Sequence, residues 1–140
     1  MECENVTDRT TLPISLSAKT KDEFNAQYRE MLESSQDIEK IVYVFRSELP
    51  IPRLKGESPV IYIGKANGSL FKRYRSLISK ETETFWDRYD YIMNNYGKIL
   101  IDIYKTNNPA ITENKFLYDY HKKYLEAPPL NTQSYRTSML

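Results

Sequence analysis

The chain contains one histidine, His121, and one cysteine, Cys3. That inventory excludes a disulfide framework, zinc sites built from several His and Cys ligands, and any Ser-His-Asp triad lacking His121. Acid-base or phosphate chemistry must therefore use Tyr, Arg, Lys, Asp or Glu, and tyrosine is abundant, with 12 among 140 residues. Tyr43 lies inside the apolar run Ile41-Val42-Tyr43-Val44-Phe45, and Tyr62 heads Tyr62-Ile63-Gly64, followed by Lys65. Shortly after come Lys72, Arg73 and Arg75, interleaved with Phe71 and Tyr74. Tyrosines on core strands pack as readily as they react, so Tyr43 and Tyr62 each admit a structural and a chemical reading.

The net charge of +1 conceals a strong segregation. Residues 1–40 carry 5 Lys/Arg against 9 Asp/Glu, residues 41–80 carry 8 against 2, and residues 81–140 carry 7 against 8. The basic middle block is able to line a phosphate-binding surface even in a nearly neutral protein, or to be a solvated face.

These residues need elements to position them. A length of 140 residues, 40% hydrophobic and 28% charged, fits one globular domain with a real core. Residues 1–20 are polar and interrupted by Pro13, which predicts an arm loosely held or packed across the domain. The spacing of Phe24, Tyr28, Met31 and Leu32 predicts a packing helix from Thr20 or Asp22 to about Ser34. Ile41–Phe45 and Val60–Ile63 read as strands, and Ser47 to Pro59, with three prolines and a glycine, reads as their long connection. Ser69 caps a basic helix with Leu70, Tyr74, Leu77 and Ile78 at helical spacing. A further helix from near Thr82 ends at Gly97, and a strand covers Ile99 to Tyr104. Asn108-Pro109 opens a last helix that stops before Pro128-Pro129. The order after residue 40 is β-β-α-α-β-α, an α/β (α+β) layer fold with a small central sheet flanked by helices and an N-terminal helical extension. Residues 1–40 are thus an arm and packing helix, and 41–140 the remainder of a single domain.

Val42-Tyr43, Tyr62-Ile63-Gly64, a helical Arg73, a helix beginning near Glu113 and the following Pro128-Pro129-Leu130-Asn131 resemble the GIY-YIG nucleases over residues 41–131. The most specific piece is Tyr62-Ile63-Gly64-Lys65-Ala66-Asn67 followed by Leu70-Phe71-Lys72-Arg73. The resemblance implies a β-β-α-β-α core on which two tyrosines, an arginine, a glutamate and a late asparagine form one DNA-cleaving site. Arg73 falls nine residues after Gly64, with Lys72 and Arg75 as neighbouring alternatives. Leu77 stands where relatives often place His or Tyr one turn beyond the arginine, a role that is either absent here or supplied by Tyr74.

Helical periodicity decides between two candidate acids. Glu113, Leu117, Tyr120 and Tyr124 share one face, whereas Asp119 lies with Lys115, Lys122 and Lys123. A carboxylate on an apolar face is costly unless it is paired or binds a metal, although a first-turn acid also suits the helix dipole. By resemblance, Glu113 holds one divalent ion, Mg²⁺ or Mn²⁺, whose hard oxygen preference suits carboxylate and phosphate. Tyr43 is then the candidate general base, provided a nearby cation brings its phenol below the ordinary value of about 10. Tyr62 positions water or phosphate, Arg73 forks onto non-bridging oxygens, and Lys65 adds a point charge. Lys65, Lys72, Arg75 and Asn131 are the nucleic-acid-binding candidates, Asn131 equally suiting a structural tie within its loop.

The implied protein is a metal-dependent endonuclease of double-stranded DNA without an appended recognition domain, its specificity drawn from Ser47–Pro59 or from a homodimer or higher assembly. A catalytically silent domain binding nucleic acid or protein is the alternative. No run approaches the length of a membrane helix and the first residues lack the pattern of a leader, so a cytoplasmic, membrane-free setting is expected.

Overall fold

The computed structural model describes all 140 residues as a mixed α+β fold: four antiparallel strands and four helices in three layers. The elements are β1 (Val6–Thr11), α1 (Lys21–Ser34), β2 (Glu39–Pro52), β3 (Glu57–Ser69), α2 (Leu70–Tyr74), α3 (Ile78–Tyr96), β4 (Ile99–Thr106) and α4 (Pro109–Tyr124), with a 3-10 turn at Thr137–Met139. Strand order is β1-β4-β2-β3, so β3 is an edge. Alternation along β2 builds two cores: Ile41, Tyr43 and Phe45 pack with α1, α2 and α3, while Val42 and Val44 pack with Phe116, Leu117 and Tyr120 of α4.

Local chemistry accounts for the helices. Thr20 accepts from the Glu23 amide at the start of α1, Ser69 from Lys72 at α2, and Asn108 from Ile111 at α4, where Pro109 needs no partner for a missing N–H. α1 buries Phe24, Tyr28, Met31 and Leu32, the face its periodicity predicts. α4 ends at Leu125 in a left-handed conformation, its amide bonded to the His121 carbonyl.

Three expectations need correction. Of the two readings of the arm, residues 6–11 follow the packed one, but as an unpredicted strand: they form β1, antiparallel to β4, with Arg9 and Thr11 anchored on Asp102. The stretch Ser47–Pro59 is mostly strand, closed by a tight turn in which Arg53 donates to the Gly56 carbonyl and Gly56 has φ +71°. Pro50 and Pro59 fit because pairing jumps from Arg46↔Val60 to Ile51↔Ser58 and leaves that part of the ladder open. The basic helix is also two pieces: α2 stops after one turn, and α3 begins at Ile78 rather than Thr82, leaving Leu77 exposed between them. No helix is long and apolar enough to cross a membrane.

Candidate active site

A cleft of about 560 Å³ opens over the β3 edge and is lined by Tyr43, Tyr62, Lys65, Arg73, Glu113 and Asn131. Six residues drawn from five separated stretches of sequence therefore meet in one place. The edge position explains how. Pairings Tyr43↔Gly64 and Phe45↔Tyr62 put both tyrosines on the α1–α3 face, whereas Val42↔Lys65 puts Lys65 on the α4 face with Glu113. Between Tyr62 and Val60 the ladder skips Ile61, a bulge that lets Ile61 and Tyr62 both reach the α1–α3 layer. The cleft wraps the edge and collects side chains from both faces of the sheet.

Gly64 has a steric function in this arrangement. A Cβ built there would overlap the Tyr43 ring and hydroxyl, because that ring crosses from the neighbouring strand directly over the glycine. The Tyr43 hydroxyl is 2.7 Å from that of Tyr74, and the rings of Tyr62 and Tyr74 flank Tyr43 at 6.0 and 5.9 Å. Burial, reinforced by the Tyr74 phenol, pushes the Tyr43 hydroxyl far above the ordinary tyrosine range, and burial does the same to Tyr62. No cationic side chain acts on Tyr43 to favour a phenolate, and without a metal it is a protonated phenol hydrogen-bonded to Tyr74. Tyr74 is buried behind Tyr43 and Leu77 is exposed between α2 and α3; neither lines the cleft.

Glu113 is the one carboxylate in the cleft. It forms no ion pair within 4 Å and accepts no hydrogen bond, and burial raises its pKa above the ordinary glutamate value against the opposing fields of Lys65, Arg136 and Arg73. None of those three cations is engaged by a carboxylate; the Arg73 guanidinium rests only over the Tyr74 ring, at 5.6 Å. Asp119, the rival acid, is committed to Lys115 at 2.5 Å on the wet face of α4. No group of three or more His, Cys, Asp or Glu gathers anywhere in the chain, so a cation here would have one protein carboxylate and draw its other oxygens from phosphate and water. That donor set suits a hard divalent ion.

The remaining candidates separate. Lys72 pairs with Glu39 at 3.1 Å, and Arg75 stacks over Phe71; neither lines the cleft. Asn131 uses its amide on backbone, accepting from Ile63 N–H at 2.9 Å and donating to Ile63 C=O at 2.8 Å, while Leu130 N–H bonds Ile61 C=O. The structural tie, rather than phosphate contact, is what its geometry provides: it fastens the segment after α4 along the open edge of β3. The Arg53–Gly56 turn sits at the other end of β3, roughly 25 Å along the strand, tied to Tyr124 and Glu126, so it does not border the cleft.

Two residues of the site carry no signal in the sequence. Asn114, next to Glu113 on α4, bonds both the N–H and C=O of Arg136, and Arg136 lines the cleft. Neither belongs to a periodic run or motif; only the return of the chain across β3 brings Arg136 to Glu113. Comparison with known proteins gives no independent identification: no family model, curated protein or solved structure matches this chain.

Proposed function

We propose that this cleft is the active site of a metal-dependent DNA endonuclease of the GIY-YIG kind. The observation that carries the reading is Glu113: a half-buried carboxylate without ion pair or hydrogen bond, facing three cations that also lack carboxylate partners. A carboxylate in that state keeps its lone pairs free for a ligand. A phosphodiester with one divalent cation supplies what is missing on both sides, positive charge for Glu113 and anionic oxygens for Lys65 and Arg73.

Glu113 would hold Mg²⁺ or Mn²⁺, which supplies Lewis acidity toward the phosphate when bound. The chain's own groups do the rest. Arg73 and Lys65 bind non-bridging oxygens and offset charge gathering in the transition state. Tyr62, at the cleft wall, orients water or a phosphate oxygen through its neutral hydroxyl. Tyr43 fixes Tyr62 and Tyr74 by packing and by its bond to Tyr74, as a positioning residue rather than a base. A cut through both strands would require two such sites, hence two copies of the chain.

One observation favours the other reading, a catalytically silent domain that binds nucleic acid or protein: the phenol nominated as base is held away from ionisation. Cleavage of supercoiled plasmid with and without Mg²⁺ or Mn²⁺, native protein against Glu113→Gln, separates the two. Metal-dependent nicking or linearisation that the variant loses supports the nuclease. Retained DNA binding with no cleavage by the native protein overturns it in favour of the silent domain.

A further inference from the structure

The segment after α4 is fastened to the body of the protein by two asparagines. Asn131 clips it to Ile63 of β3, and further along Asn114 of α4 accepts from Arg136 N–H at 2.6 Å and donates to Arg136 C=O at 2.9 Å. Between the two, Tyr135 packs edge-on against Tyr118 and His121. Asn114 is only 4% exposed. A buried amide is costly without full hydrogen bonding, so its side chain is committed to holding one backbone unit in place. That unit belongs to an arginine whose guanidinium forms no salt bridge and no hydrogen bond, stands in the cleft and acts on Glu113 through its field.

Resting on the nuclease reading, we infer that Arg136 is a substrate-binding residue of this site. It grips a backbone phosphate of the nucleic acid in the cleft that Arg73 also lines, and Asn114 is its positioning residue. A planar guanidinium held by a fixed backbone meets phosphate oxygens in two parallel bonds without first ordering a loop. The cleft then offers phosphate cations from three stretches of chain: Lys65 on β3, Arg73 on α2 and Arg136 on the returning segment.

The test is steady-state nicking kinetics with Mg²⁺, together with binding of a fluorescein-labelled DNA duplex in Ca²⁺ across a salt series. Arg136→Ala is expected to raise KM about tenfold with kcat nearly unchanged. It should also lower the slope of log affinity against log salt by about 0.9, the signature of one lost phosphate contact. Arg136→Lys should restore the slope but only part of the affinity. Asn114→Ala should raise KM with the guanidinium intact, and a melting curve in parallel identifies any loss due to unfolding. A native KM and native salt slope for Arg136→Ala, in a protein that cleaves, overturn the inference and leave the nuclease standing. If the native protein binds duplex without cutting it, the nuclease reading fails and the salt slope alone decides Arg136. Absence of binding by the native protein overturns both.

Discussion

Two acids approached by arginines lie on the α4-facing side of the fold, and they are built in opposite ways. Asp102, 2% exposed, accepts from Arg46 Nε at 2.8 Å, Arg9 at 3.3 Å and Thr11 Oγ1 at 2.6 Å. Burial pushes its pKa up, but the bonds from Arg46 and Thr11 and the arginine charges outweigh that and hold it below the ordinary value. Glu113 has cations nearby and none in contact, and burial wins. Asp102 is complete and sews β1 and β2 onto β4; Glu113 is incomplete. A buried acid whose bonds are all made serves the fold, and one left without them is available to a ligand.

Exchanging the two acids for their amides separates these roles most sharply. Glu113→Gln should lower metal-dependent cleavage by at least ~100-fold while melting at the native temperature or up to ~3 °C above it, because a desolvated charge is removed. Asp102→Asn should cost about 2–3 kcal/mol of stability in a denaturant titration, with cleavage by the folded protein retained. The pH dependence runs oppositely. The Asp102 contribution is present above the unfolded aspartate pKa and is lost as pH falls through its depressed folded value. Glu113, raised in the fold, reduces stability as pH rises through its folded value, so its variant gains most at neutral pH.

Gly64→Ala comes next, since its Cβ collides with the Tyr43 ring. Roughly 1–3 kcal/mol should be lost on overpacking, with cleavage falling alongside as the tyrosine cluster is displaced. Asn131→Ala should cost about 1–2 kcal/mol for the two bonds to Ile63 and reduce cleavage about tenfold by freeing the cleft wall. The smallest effect belongs to Tyr43→Phe: about 1 kcal/mol for its bond to Tyr74, cleavage within ~10-fold of native, and an unmoved alkaline limb of the pH-rate profile. An alkaline limb that disappears would restore Tyr43 as the base.

Legibility in the sequence followed locality. α1 and α4 announce themselves through Thr20 and Asn108-Pro109 and through apolar spacing, so the face bearing Glu113 is readable from residue spacing alone. Gly64 is readable as part of a tripeptide, but its purpose, room for the Tyr43 ring, requires the Tyr43↔Gly64 register. β1 is invisible because Val6–Thr11 is almost wholly polar and its anchor, Asp102, lies more than 90 residues away. Leu70, Tyr74, Leu77 and Ile78 keep helical spacing across a break, so two helices read as one. The state of Tyr43 depends on burial and on Tyr74, and Arg136 depends on a chain reversal; neither leaves a local pattern.

The most direct test of the contrast is a ¹³C NMR titration of the Glu113 carboxyl carbon, without and with Mg²⁺. In metal-free protein the carboxyl should titrate above the ordinary glutamate value, and its midpoint should move to lower pH as Mg²⁺ is added. Titration at or below the ordinary value, indifferent to Mg²⁺, would mean that Glu113 is already satisfied like Asp102, and would contradict the assignment of the cleft.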